Sequence, residues 1–277
     1  MKKIVSLNII ACGIAALILS SCNPEQKPPA EKPVAPAKTT PFISYEIREK
    51  FPHDITIYTE GLLFHEGRLF ESSGAPSHLP QTRSVFGISD LKTGRFETKG
   101  ELDKTVYFGE GILFFGDKLY QLTYQNQVGF IYNAKTFKRE GQFSYPNKEG
   151  WGLTTDGTYI IMSDGTYNLT YFDPATLKVV KTIAVLKDGY GLDYINELEY
   201  INGFIYANVW TTNTIVKINP TNGDVVGQMD LTPLFNQALK DNVNLAEMNG
   251  IAYDKANDRI LVTGKLWPWI YEINFPH

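Results

Sequence analysis

The sequence predicts an all-β fold, a five-bladed β-propeller of four-stranded antiparallel blades spanning residues 42–277. Three observations predict it. First, five segments open alike: EGLLFHEGRLFESSG from Glu60, EGILFFGDKLYQLTY from Glu110, WGLTTDGTYIIMSDG from Trp151, NELEYINGFIYANVW from Asn196 and MNGIAYDKANDRILVTG from Met248. Second, they recur at intervals of roughly 40–50 residues, the length of a propeller blade. Third, each reads as a short apolar strand, a Gly/Asp/Asn turn and a second strand. Apolar and polar residues alternate clearly in Gly203 to Trp210 and in Arg259 to Gly264.

The chain opens with a segment to be set apart from the fold. Lys2 and Lys3 precede a short apolar stretch from Ile4 to Leu19, and Leu19-Ser20-Ser21-Cys22 closes it. The stretch is shorter than the roughly 20 residues of a spanning helix. Small residues before a cysteine resemble the lipobox of bacterial lipoproteins. That resemblance implies a signal peptide over 1–21, lipid on Cys22, export and membrane anchoring. The competing reading is an ordinary signal peptide with an incidental cysteine. The only other cysteine, Cys12, lies inside the signal peptide, so the mature domain holds no disulfide framework. Residues 22–41 carry six prolines and almost no bulky apolar side chain, as expected of a tether.

The remaining elements follow in order. Phe42 to Phe51 is strand-like and is expected to pair with the last blade, closing the ring and removing two free edges. Turns such as Ser89-Asp90-Leu91-Lys92-Thr93-Gly94 and Asn219-Pro220-Thr221-Asn222-Gly223 separate third from fourth strands. Asp and Asn bond their own backbone there and Gly supplies positive φ. Thr232 to Lys240 reads as one helix, with Pro233 in the first turn. A β-sandwich or barrel is the rival architecture. It leaves unexplained why the first strand of each unit carries a polar residue, usually beside glycine.

The net charge is −4 with no basic run past the signal peptide, which argues against a nucleic-acid partner. The chain holds 16 Tyr, 16 Phe and 4 Trp, enough for a large sheet core and an aromatic pocket. No interface signal stands out, so a monomer is expected.

First strands line a propeller's central channel. Polar residues at their starts therefore converge, although they are far apart in sequence. Glu60, Glu110, Trp151, Asn196 or Glu197, and Asn249 are brought together in this way, with Trp210 and Lys265 following within their units. Strand alternation turns only one of Asn196 and Glu197 to the channel. Two carboxylates, an ammonium, amides and indoles facing one hollow are costly to desolvate without a function.

These residues sit in motifs that resemble the glutaminyl-peptide cyclotransferases of plant and bacterial type. The motifs are Tyr58-Thr59-Glu60-Gly61-Leu62, Phe108-Gly109-Glu110-Gly111-Ile112, Glu149-Gly150-Trp151-Gly152-Leu153, Asn196-Glu197-Leu198-Glu199-Tyr200, Met248-Asn249-Gly250-Ile251-Ala252 and Thr263-Gly264-Lys265-Leu266-Trp267-Pro268. The resemblance implies a five-bladed propeller that converts N-terminal glutamine of peptides to pyroglutamate and releases ammonia, without a cofactor. It implies catalysis by Glu110 with Lys265 and Asn196. Glu60, Tyr58, Tyr124, Trp151, Trp210 and Asn249 are then the substrate-binding set. Three positions depart. The family's phenylalanine and glutamine in F-T-Q-G-L are Tyr58 and Glu60 here, and a pocket tryptophan is Tyr124.

The residue types suit that chemistry. One carboxyl can relay a proton from the attacking amine to the leaving nitrogen. Lys265 and Asn196 can donate to the carboxamide oxygen as charge develops. Aromatic walls can fold the glutamine side chain toward a ring. The four histidines show no metal-ligand spacing. Each assignment has a structural rival: a strand-end cap for Glu110, an ion pair for Lys265, inter-blade packing for Trp151 and Trp210. At the level of the whole protein the rivals are a non-catalytic binding propeller and a cation-dependent propeller hydrolase.

Overall fold

The computed structural model describes residues 39–277. Cys22, the signal peptide and residues 22–38 of the expected tether lie outside the described residues.

The described chain forms five four-stranded antiparallel sheets. β1 (Glu46–Pro52) comes first in the chain but belongs to the last sheet. Blade one is β2 (Thr59–His65), β3 (Arg68–Ser73), β4 (Val85–Ser89) and β5 (Phe96–Glu101). Blade two is β6 (Gly109–Phe115), β7 (Lys118–Thr123), β8 (Val128–Asn133) and β9 (Arg139–Ser144). Blade three is β10 (Leu153–Thr155), β11 (Ile160–Ser163), β12 (Asn168–Phe172) and β13 (Val179–Ala184). A two-stranded hairpin, β14 (Leu186–Lys187) and β15 (Tyr190–Gly191), precedes blade four. That blade is β16 (Ile195–Ile201), β17 (Phe204–Val209), β18 (Thr214–Ile218) and β19 (Val225–Asp230). α1 (Thr232–Asp241), with its proline in the first turn, leads to blade five: β20 (Met248–Asp254), β21 (Arg259–Gly264) and β22 (Trp269–Asn274).

Each seam between blades holds its own apolar cluster. Phe70 and Phe86 meet Ile112 between blades one and two, and Leu113 meets Met162 between two and three. Tyr171 meets Ile195 between three and four, Tyr206 meets Trp267 between four and five, and Leu62 meets Leu261 between five and one. The fifth seam closes the ring, so every blade buries both faces. β1 then caps β22 as an outer strand, from Glu46 opposite Asn274 to Pro52 opposite Trp269.

One expectation is corrected. The segment before the first repeat does not run wholly along the last blade. Pro41 and Ile43 pair with Gln228 on the outer edge of blade four, and Thr40 donates twice to Asp188. Thr40 and Pro41 were expected in a free tether, and Ile43 in the strand along the last blade. They are held because Gln228 lies on the unfilled edge of β19 and Asp188, in the β14–β15 turn, offers an acceptor beside it.

A buried charge pair reinforces ring closure. His53 follows β1, and its Nε2 bonds Glu71 at 2.9 Å on blade one. Its Nδ1 bonds the Trp267 carbonyl at 2.7 Å on blade five. Ser89 and Thr59 also donate to the Glu71 carboxylate. Both ring nitrogens face acceptors, so the bonded form is the imidazolium. Burial opposes that charge, but Glu71 and the Trp267 carbonyl outweigh it and raise the His53 pKa. A raised folded-state pKa adds stability that is complete below the unfolded value of about 6.5 and is lost as pH rises through the folded value. Replacing His53 with Gln is expected to cost about 3–5 kcal/mol at pH 6, because the partner carboxylate stays buried. The gap from wild type should narrow at alkaline pH, as read by denaturant melts across the range.

Candidate active site

The ring is tightest at its axis, and this sets the local sequence. A Cβ on Gly111 would lie 2.5 Å from the Trp151 carbonyl, and one on Gly152 would lie 2.3 Å from the Asn196 carbonyl. Backbone fills the axis where side chains cannot, and Gly111 donates directly to the Trp151 carbonyl at 2.7 Å. Pairing between first and second strands also slips in four blades: at Thr59/Gly61, Gly109/Ile112, Ile195/Leu198 and Met248/Ile251. These β-bulges re-aim a side chain. They fall on Glu60, Glu110, Asn196 with Glu197, and Asn249, the polar residues that the repeats bring together.

Most of those side chains line one cavity of about 330 Å³: Glu60, Glu110, Trp151, Asn196, Trp210 and Lys265. Tyr58 and Tyr124 complete the expected set there. Asn249 does not reach the cavity wall. It is fully buried and donates to the Thr59 carbonyl at 3.0 Å and the Glu60 carboxyl at 3.2 Å, so it positions Glu60. Both Asn196 and Glu197 turn inward, because the bulge breaks the alternation. Asn196 lines the cavity, while Glu197 accepts from the Leu62 and Ile251 amides on two other blades. Glu197 stands where other blades have glycine, so it is a spoke across the axis.

Phe108, Pro76, Ser77 and His78 also line the cavity without having been singled out. Phe108 opens a quoted motif but was given no role there. The other three come from the long β3–β4 loop, which carries no repeat signal. Glu149, two residues before Trp151, accepts the Trp151 indole proton at 2.9 Å. Among the described residues no group of three or more His, Cys, Asp or Glu is placed to hold a metal ion.

The electrostatics are set by one cation between two carboxyls. Lys265 Nζ lies 2.8 Å from Glu60 Oε1 and 4.6 Å from the Tyr58 ring centre. Burial alone would lower the Lys265 pKa, but Glu60, Tyr58 and Glu110 raise it, so the ammonium persists. Burial also pushes Glu60 up, against the pull of Lys265, to about 7. Glu110 is raised well above its ordinary range, first by burial and then by the Glu60 charge. Its carboxyl finds no hydrogen-bond partner among the described residues, and neither does the buried Asn196 Oδ1. Orphaned polar groups in one hollow mark a binding site rather than a packing seam. The aromatic wall is ordered edge to face, with Trp151 and Trp210 rings 5.5 Å apart at 83°.

Three comparisons bear on this arrangement. A family model described as glutamine cyclotransferase matches residues 14–275. The chain belongs to that family. A glutaminyl-peptide cyclotransferase of Arabidopsis thaliana is 40% identical over 230 residues, 82% of this chain and 70% of the relative. The crystal structure of Myxococcus xanthus glutaminyl cyclase superimposes with a TM-score of 0.76 at 32% identity, covering 85% of this chain and 98% of that one.

The coupling predicts a titration result. Glu60→Gln removes a negative neighbour from Glu110 and frees the Lys265 charge. Both changes favour the Glu110 carboxylate, so its pKa should fall. Carboxyl ¹³C shifts across a pH series will check this; an unchanged or higher Glu110 midpoint would contradict the coupling.

Proposed function

We infer that the protein cyclises N-terminal glutamine of peptides to pyroglutamate with release of ammonia. The observation that carries this reading is a buried, unpartnered carboxyl, Glu110, facing Lys265, Asn196 and an aromatic wall in one glutamine-sized cavity.

The neutral substrate amine attacks its own side-chain carbonyl carbon. A C–N bond forms and the carbonyl oxygen becomes an oxyanion. The new ammonium-like nitrogen must lose a proton and the carboxamide nitrogen must gain one before its C–N bond breaks. A protonated Glu110 does both: its hydroxyl gives a proton to the leaving nitrogen while its carbonyl oxygen takes one from the amine. Ammonia departs and the carboxyl is regenerated. Burial, and then the Glu60 charge, raise the Glu110 pKa well above the ordinary carboxylate range, which favours the protonated acid that this exchange needs. Lys265 and Asn196 stabilise the oxyanion. Trp151, Trp210, Tyr124 and Phe108 restrict the flexible side chain to folded shapes, which supplies part of the barrier reduction as orientation.

The sequence before the propeller extends the proposal. Cys22 carries lipid, residues 22–38 form the tether, and the domain acts as an exported, membrane-anchored monomer. The lipobox-like Leu19-Ser20-Ser21-Cys22 and the proline-rich run support this. Cys22→Ser should move the protein from the membrane to the soluble fraction; retention at the membrane would refute the anchor.

The catalytic test uses a peptide beginning with glutamine. Ammonia release should accompany loss of one ammonia from the peptide mass. Glu110→Gln and Lys265→Ala should each lower turnover by at least ~10²-fold with circular dichroism unchanged. Wild-type rates in either variant would overturn its assigned role.

A further inference from the structure

A second hollow adjoins the catalytic cavity. Its volume is about 410 Å³, and it shares Tyr124, Trp151 and Trp210 with that cavity. Beyond the shared wall it is bounded by Lys148, Glu149, Asp164 and Tyr194. Cyclisation consumes only the amine, the α-carbon and the side chain of the first residue. The substrate's first carbonyl carries the rest of the peptide, which must leave the cavity over one of its walls.

Resting on the cyclase reading, we propose that this groove holds the residue after glutamine and favours a basic over an acidic side chain there. Three features support it. The first is continuity with the catalytic cavity through three shared aromatic side chains. The second is Tyr194. Its φ is 68°, a conformation costly for a bulky aromatic residue. Two hydrogen bonds hold it there: Tyr194 donates to the Gly165 carbonyl at 2.8 Å and accepts from the Trp210 amide at 2.8 Å. The strained backbone sets the half-exposed ring 5.7 Å from Trp210, as an open aromatic surface at the cavity mouth. The third is charge. Glu149 accepts from Trp151 and Gln125, and Asp164 from Thr166 and Asn147. All four donors are neutral, so two negative charges face the groove against Lys148 alone.

The test compares glutamine amide, which has no second residue, with the tripeptides Gln-Lys-Ala and Gln-Glu-Ala. Wild type should convert Gln-Lys-Ala with the higher kcat/KM of the two tripeptides. Tyr194→Gly suits the left-handed backbone and removes the ring. It should lower tripeptide kcat/KM by about three- to tenfold and leave glutamine amide unchanged. Asp164→Asn keeps an acceptor for the Thr166 turn. It should shrink the Lys-over-Glu preference by about two- to fivefold. If both variants change amide and tripeptides in parallel, or wild type shows no preference, the groove assignment falls while the cyclase reading stands. A wild-type protein that cyclises none of the three substrates overturns both.

Discussion

Five inner strands meet around an axis too narrow to hold a side chain at every position, and the site follows from that crowding. Where Gly111 and Gly152 pack, neighbouring backbone stands within 3 Å of any added carbon. The residue before each glycine must then turn away from the axis, and a β-bulge lets it do so. Glu110 reaches the cavity by such a bulge, and Trp151 reaches it from blade three, just ahead of β10. Polar chemistry at the ring's mouth is thus coupled to close packing at its centre. Blade four follows a different solution. Glu197 replaces the glycine, and its carboxyl spans the axis to two amides of other blades.

The fold was largely legible because it repeats. Five similar openings gave blade number and strand order, and the alternation in β17 and β21 gave their faces. Cavity membership was legible for the same reason: equivalent positions in a closed ring must converge. What could not be read was local geometry without a period. Asn196 and Glu197 looked mutually exclusive under simple alternation, yet a bulge admits both. Asn249 occupies an equivalent position but is turned to support Glu60, since its blade meets blade one at the closing seam. Ser77 and His78 come from a loop whose path no periodicity encodes. The His53–Glu71 bond was equally hidden, because its partners are single residues on unrelated elements.

Charge accounting distinguishes this cavity from a packed seam. Two carboxyls and one ammonium share a buried space. With both carboxyls ionised the group carries a net negative charge, and burial opposes that. Holding one proton between them makes the trio neutral, so Glu60 and Glu110 titrate as a pair rather than as independent acids. The ammonium stays with Glu60 at 2.8 Å, which leaves Glu110 the better place for the shared proton. The same three groups therefore present an anchored ion pair on one side and a neutral acid on the other.

That division has a consequence for the reaction. Lys265 bonded only to a neutral amide would give its full charge to a substrate oxyanion. Bonded to Glu60, it gives less while Glu60 is ionised and more when Glu60 takes up a proton. Burial lifts Glu60 to about 7 against the pull of Lys265, so the coupled pair exchanges a proton near neutrality. An acid able to serve amine and leaving nitrogen at once is available in the same range. The carboxylate at position 60 thus exchanges some oxyanion stabilisation for a reservoir that keeps the Glu110 proton in place. The aromatic wall is unaffected by this exchange, because its contribution is steric. In the proposed mechanism, position 60 therefore tunes when the site is active, while Glu110 and the indoles set its chemistry.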